Sequence, residues 1–562
     1  MNQQIEIENN PYISELKFND GTSLNLKSDD IVIFVGPNNS GKSQSIKDIR
    51  ELLYSKLKHS VVVKSIKIKD IDKEDKLQKI SQYTLSVDNG NYTKYEGYNC
   101  SFISSQIGDM NGLNNSRDFF VSQISTENRL TVCEPPKAID CNESIKHPIH
   151  YLVRYPEAQD LISKNFKKAF GYDLILNANC VKTIPLCMGE HVKFGENEVF
   201  KNEQERQMKY GEILAQYPKI HEQGDGIKSF VGIILHLFMK QYSIFCIDEP
   251  ESFLHPPQAN IMGKTVGEVL KNQQAFIATH SQDFLKGVLS VCPSRVKIVR
   301  ITRDGDKNGI AILNNYDMES IWSDSLLKHS NIMDSLFHNV TVLCESDSDC
   351  KIYSIIDSYI KGENGHYSDS LFIHCGGKHK MYKIVNALMS LKIDYRIIPD
   401  IDILNDSKIV SKLFESCGGN WDTLITFYSQ LSNGITGGKS VIAIDKIISS
   451  FSELKNQGNE NISKSQLTSK IKEISPQTKW DLLKSGGIIN IPRGDATTAY
   501  NYINEEFKRM KIFLVPCGEL ENFDKEIGGH GPDWANAFIE KYNNLGDVRI
   551  KSLMDFVQSW HL

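Results

Sequence analysis

The sequence predicts an α/β protein in two parts, each built on a parallel sheet, and two patterns carry that prediction. Short apolar runs rich in β-branched residues end repeatedly in a glycine turn or in carboxylates. Apolar residues at helical spacing then follow, the alternation expected when strands are joined by crossover helices. Polar groups at the carboxyl ends of parallel strands line up along one edge of a sheet, where binding sites form.

The first run, Ile31-Val32-Ile33-Phe34-Val35, leads into Gly36-Pro37-Asn38-Asn39-Ser40-Gly41-Lys42-Ser43. Glycines allow several backbone N–H groups to converge on one anion, Lys42 would meet terminal phosphates, and the Ser43 hydroxyl would ligate magnesium. Residues 44–53 carry helical spacing, which supplies a helix N-terminus for the phosphate. Gly36, Asn38, Asn39, Ser40, Gly41, Lys42 and Ser43 are thus the expected nucleotide contacts, with ATP and Mg2+ as the bound species.

A second run, Ile244-Phe245-Cys246-Ile247, ends in Asp248-Glu249. Taken alone, an Asp-Glu pair is an ordinary solvated strand end. Beside a phosphate loop, Asp248 is placed to hold the magnesium and Glu249 to polarise the attacking water. A third run, Phe276-Ile277-Ala278-Thr279, leads to His280. Pro250-Glu251-Ser252-Phe253-Leu254-His255-Pro256 after the acidic pair matches the loop following the Walker B strand in ABC-type ATPases, and the order of motifs resembles that class. The resemblance makes His280 the switch histidine that senses the γ-phosphate. It also makes Gln223-Gly224-Asp225-Gly226-Ile227-Lys228-Ser229 the segment that opens a helix and reaches a partner subunit's nucleotide through Gly224, Asp225 and Gly226. That segment departs from the usual Leu-Ser-Gly-Gly form, and a plain Gly-Asp-Gly loop ahead of a helix is the alternative. Sites completed by a second subunit imply a homodimer or higher homo-oligomer.

The C-terminal part carries acids instead of a phosphate loop. Val340-Thr341-Val342-Leu343-Cys344 precedes Glu345, with Asp349 just beyond. Leu371-Phe372-Ile373-His374 comes next, and Tyr395-Arg396-Ile397-Ile398 leads through Pro399 to Asp400 and Asp402. Hard divalent cations prefer such oxygen ligands, and bridging carboxylates suit two-cation phosphodiester chemistry. Residues 512–516 read as a further strand leading to Glu519 and Glu521. A glutamate followed by Asp-x-Asp at successive strand ends resembles the TOPRIM domain. The late Gly-acidic-apolar-Glu segment resembles the OLD (overcoming lysogenization defect) nucleases, in which an ABC ATPase precedes a TOPRIM nuclease.

That resemblance spans the chain and implies an ATP-driven, metal-dependent DNA endonuclease of bacterial anti-phage defence, with Glu345 and Asp400 catalytic beside Glu249 and His280. Its metal set would be Ser43 and Asp248 at the nucleotide, and Glu345, Asp349, Asp400, Asp402, Glu519 and Glu521 for Mg2+ or Mn2+, Glu521 ahead of Glu519. Expected partners are DNA, a second copy, and a defence component such as a reverse transcriptase with its non-coding RNA or DNA. The segment after Glu345 is Ser-Asp-Ser where many relatives have glycine, and Lys525 is the nearest candidate for a catalytic lysine. The alternative function is an ATP-dependent sensor or assembly platform that binds nucleic acid or a protein without cutting efficiently.

The expected divisions are 1–144 and 223–325 for the two ATPase halves, 145–222 for a partly helical insertion, and 326–562 for TOPRIM with a helical insertion near 408–478. Strands are expected at 13–18, 23–26, 119–122 and 295–301, helices at 161–170 and from Met318 onward. At 562 residues, with 40% hydrophobic and 24% charged residues, the chain has the make-up of a water-soluble protein of two or three domains. No apolar run reaches bilayer length and the N-terminus has no secretory pattern, so a cytoplasmic protein with no membrane partner is expected. The 12 cysteines lack paired metal spacing and read as buried thiols. Net charge is −6, with 64 Lys and Arg against 70 Asp and Glu, which excludes no nucleic-acid role because a local basic face does that binding. Lys56, Lys58, Lys64, Lys67 and Lys69 form either such a face or a solvated edge.

Overall fold

The computed structural model describes residues 9–54, 60–88, 92–103, 113, 116–140, 142–178, 182–195, 200–313, 331–436, 479–542 and 545–561, with scattered positions between 444 and 468. The chain forms two compact units, Met1–Ser323 and Asp324–Leu562. Both are α/β.

The first unit is centred on a six-stranded sheet whose strands lie in the order Lys307–Ile312, Val296–Asp304, Ile31–Val35, Gln274–Ala278, Ile244–Asp248 and Val121–Ile124. All neighbours are parallel except the antiparallel pair formed by the first two. The strand Ile31–Val35 is buried along its whole length, as a near-continuous apolar run in a sheet covered on both faces should be. A smaller antiparallel sheet of Ser23–Asn25, Tyr12–Phe18 and Val63–Lys69 packs Ile13, Leu16 and Phe18 into the same core.

Between the expected ATPase halves lie helices Pro148–Arg154 and Pro156–Phe170, a hairpin of Asp173–Leu176 and Leu186–Gly189, and the helix Glu203–Ala215. Phe166 and Phe170 seat Pro156–Phe170 against Phe230 of the helix Asp225–Leu237. Lys64, Lys67 and Lys69 are exposed on an edge strand, with Lys67 ion-paired to Glu15. Lys56 and Lys58 lie outside the described residues, as does the helix expected from Met318.

The second unit has three parallel strands with Val340–Cys344 between Ser370–His374 and Asp394–Ile398. Its core gathers Val342, Ile352, Ile356, Trp534, Phe538 and Trp560. Helices Ser407–Ser416 and Trp421–Thr436 occupy the start of the expected insertion, most of which lies outside the described residues.

Two expected strands differ. Phe119 and Phe120 belong to a helical turn, Arg117–Phe120, and the strand begins only at Val121. Both rings pack edge to face inside the core, so burial is met without extended backbone there. Residues 512–516 make one parallel bridge, Ile512 to Ile397, and backbone bonds to Ile397 and Pro399 instead of a regular ladder. Pro516 has no N–H to continue it. Among the described residues no helix is long and apolar enough to cross a membrane.

Candidate nucleotide and carboxylate sites

The phosphate loop leaves the buried strand at Gly36, whose φ of +148° and close approach to the Ile301 carbonyl exclude a side chain. Helix Lys42–Leu53 starts directly after Gly41. The buried Lys42 ammonium donates to the carbonyls of Gly36 (2.8 Å) and Pro37 (2.7 Å), which fixes a positive charge within the loop. Asn308 of the neighbouring hairpin donates to the Ser40 carbonyl at 2.7 Å and braces the turn. The loop borders a cavity of about 640 Å³ whose wall includes Asn38, Lys42, Ser43, Glu249, His280 and Arg303.

Asp248 ends its strand beside Ser43. Burial pushes its carboxyl upward, Glu249 adds to this, and a hydrogen bond from Ser43 opposes it. Its Oδ1 is buried with no hydrogen-bond partner. A buried orphan carboxylate oxygen next to a hydroxyl is the donor set a hard divalent cation requires, so the residues fit magnesium.

Glu249 has φ of +47°, costly for a side chain with a Cβ, and its N–H donates to the Ala278 carbonyl at 2.8 Å. Its carboxylate accepts from Ser252 at 3.0 Å and lies 3.7 Å from His280 Nε2. Burial and the nearby Lys42 charge hold His280 below its usual pKa, so the ring is neutral at pH 7. Glu251 accepts the His280 backbone N–H at 2.6 Å.

Gly224, Asp225 and Gly226 open the helix Asp225–Leu237, and Gly224 and Asp225 are exposed at its tip. They do not line the phosphate-loop cavity. Ser229 donates to the Ser252 carbonyl at 3.2 Å, which joins this helix to the loop after Glu249.

In the second unit, carboxylate oxygens of Glu345, Asp400 and Asp402 come within 4.8 Å of one another. The Asp400 N–H donates to Glu345 Oε1 at 3.2 Å. Burial, then Asp402, drives Glu345 up to about 7, and burial with Glu345, Asp349 and Asp402 drives Asp400 well above its usual value. Carboxyls held this way are relieved by a cation, and the site fits one. Glu519, Glu521 and His530 form a second such group. Glu521 accepts from the Gly531 N–H at 2.8 Å and sits 2.7 Å from His530 Nδ1. Asp349 lies by both groups: its carboxyl is raised by burial and then by Glu521, and it in turn raises Glu345 and Asp400. It also caps its own helix, accepting the Ser346 N–H at 2.8 Å.

Residues 142–285 match the AAA ATPase domain family, a span that begins after the phosphate loop. The Old nuclease of Escherichia phage P2 is 22% identical over 318 residues, which cover 55% of this chain and 50% of the phage protein. The chain is similar to that nuclease over this span. It spans about half the length of that phage protein. Among solved structures, an SMC head bound to the C-terminal winged-helix domain of ScpA is 12% identical with a TM-score of 0.33, covering 55% of this chain and 99% of that one. The SMC head domain from Thermotoga maritima is 12% identical with a TM-score of 0.29, covering 54% and 99%. TM-scores this low carry no weight for fold or function.

Four residues at the two sites were given no role by the sequence. Arg129, fully buried, donates to the backbone carbonyls of Asp248 and Glu249. Lys378 pairs with Asp402 at 2.9 Å. Lys484 lies 3.6 Å from Asp402 and 3.4 Å from Glu519. Against burial, which would lower it, those carboxylates and Asp400 hold the Lys484 ammonium above its usual pKa. The fourth is His530. Lys378 follows the strand Ser370–His374 through Gly376-Gly377, whereas Arg129, Lys484 and His530 sit at no strand end or spaced motif and carry no local signal. Lys525, the candidate catalytic lysine, donates to the Ser485 carbonyl at 2.8 Å, whereas Lys378 and Lys484 are the lysines paired with the acids.

Proposed function

We propose that the chain is an ATP-gated, divalent-metal-dependent DNA endonuclease of anti-phage defence. The observation that carries the reading is the convergence of Glu345, Asp400 and Asp402, which come from two different strand ends yet share one small space. Glu345 and Asp400 hold their protons more firmly than ordinary surface carboxylates do, as expected of groups built to face a cation. These three, with Asp349, Glu519 and Glu521, would hold Mg2+ or Mn2+. Bound there, the cation supplies charge stabilisation at a phosphodiester and an activated water. Lys484 and Lys378 place positive charge beside Asp402, where a phosphate oxygen gains it.

In the first unit, Lys42 and the loop amides would bind the ATP phosphates, with Ser43 and Asp248 as cation ligands. Glu249 would accept the proton of the attacking water, and neutral His280 would sense the terminal phosphate. Gly224, Asp225 and Gly226 would complete the site of a second copy, so the active form is at least a homodimer. The division into ATPase halves at 1–144 and 223–325, an insertion at 145–222 and a TOPRIM nuclease at 326–562 belongs to the same proposal. So does a defence partner of the reverse-transcriptase type. The likeness to a phage Old nuclease supports a nucleic-acid substrate.

The test is incubation of the purified chain with linear and supercoiled DNA, ATP, and Mg2+ or Mn2+. Metal-dependent cutting is the expected result. Intact ATP hydrolysis with no cutting under any metal would assign the chain to the sensor or platform class.

A further inference from the structure

The helix Lys479–Gly486 and the turn Gly487–Asn490 place apolar side chains in water beside the carboxylate site. Ile489 is 88% exposed and Ile488 42%. Single exposed apolar residues are common, but this pair sits on backbone that is firmly held. The Ile488 N–H donates to the Pro516 carbonyl at 2.9 Å. Asn522 Nδ2 donates to the Lys484 carbonyl and Lys525 Nζ to the Ser485 carbonyl, both at 2.8 Å. Gly518 lies so close to the Lys484 carbonyl that an added Cβ would stand 1.9 Å from its oxygen. The Gly518 carbonyl in turn accepts the N–H of Ile401, the residue after Asp400, at 3.0 Å. A short chain of backbone contacts therefore fixes the Ile488–Ile489 tip relative to the Asp400 strand end, and the same helix carries Lys484 to Asp402 and Glu519.

We propose that Ile489, backed by Ile488, is a wedge that enters the base stack of duplex DNA beside the scissile phosphate. The proposal rests on the nuclease function proposed for this site. An apolar side chain inserted at a base step unstacks it and kinks the duplex, which lets the backbone approach the protein more closely. The surroundings select nucleic acid over an apolar protein surface: Lys525 is held at the Ser485 carbonyl just before the tip, Lys484 lies among the acids, and those acids suit a cation that a phosphate can join. The implied substrate class is duplex DNA able to bend, with unpaired or mismatched steps cut most readily because they cost least to unstack.

The test uses the full chain with Mg2+ or Mn2+ and two linear duplexes, one fully paired and one with a two-base bulge. The wild type should cut the bulged duplex faster. Ile489→Ser should lose about tenfold on the paired duplex and much less on the bulged one, while Ile489→Met, which keeps an apolar tip, should restore paired cutting. Wild-type rates for Ile489→Ser on both duplexes would overturn the wedge and leave the turn as a surface for a protein partner. Equal losses on both duplexes would overturn it too, since only an unstacking role separates them. Either result leaves the nuclease reading standing, whereas a wild type that cuts neither duplex under any metal overturns both.

Discussion

Arg129 Nη1 donates to the carbonyl of Glu249 at 2.8 Å and to that of Asp248 at 3.1 Å, so one buried guanidinium holds the backbone of both acidic residues. The strained backbone at Glu249 needs such support. Arg129→Ala should lower kcat for ATP hydrolysis by roughly 10–100-fold, since misplacing a catalytic group by about 1 Å costs that much. KM for ATP should change little, because the phosphate loop is untouched. Steady-state kinetics checks this, and a KM effect without a kcat effect would show that Arg129 serves binding instead.

Lys42→Ala should abolish productive nucleotide binding, because the loop loses the charge held among its carbonyls. Glu249→Gln should keep nucleotide affinity and slow hydrolysis by about 10²–10⁴-fold, the usual worth of a positioned general base. Equilibrium binding of a fluorescent ATP analogue to both variants separates the roles. They are misassigned if Glu249→Gln binds as poorly as Lys42→Ala.

The exposed tip at Gly224 and Asp225 should act on a second copy. Glu249→Gln, which retains ATP, should therefore shift towards dimer on ATP addition in light scattering. Full-rate hydrolysis by a monomer at micromolar concentration would contradict this arrangement.

Glu345 gives a pH signature in metal-free protein. Its folded pKa, raised to about 7 by burial and Asp402, exceeds the usual carboxylate value, so the folded state binds the proton more tightly than the unfolded chain. Its stability contribution is then fully present below the unfolded pKa and lost as pH rises through about 7. Glu345→Gln should raise Tm by a few degrees at pH 8 in the presence of a chelator and leave it nearly unchanged at pH 4. A variant that lowers Tm at pH 8 would show that the charged carboxylate stabilises the fold.

Much of the fold and of both sites was legible because the signals are local. The phosphate loop is one contiguous segment between a strand and a helix, and glycine turns after buried runs report themselves. Glu345 and Asp400 were readable because Val340–Cys344 and Asp394–Ile398 are parallel neighbours, so the residues just past each strand lie on the same edge. Arg129, Lys378 and Lys484 were not readable. Arg129 lies 119 residues from Asp248 in sequence, and nothing around it signals burial. Lys378 and Lys484 sit in turn and helix contexts where lysine is ordinarily solvated. Residues 512–516 misled because apolar content suggests a strand, while a regular ladder also needs a backbone N–H to donate at each paired position, which Pro516 lacks.

The central claim is that the second unit cuts DNA through its clustered carboxylates. The most direct measurement compares wild type and Asp400→Ala for DNA cleavage and ATP hydrolysis in the same Mg2+ or Mn2+ buffer. Asp400→Ala should lose cleavage by at least about 10²-fold, the scale of removing one catalytic group, while ATP hydrolysis persists. Wild-type cleavage by Asp400→Ala would contradict the account.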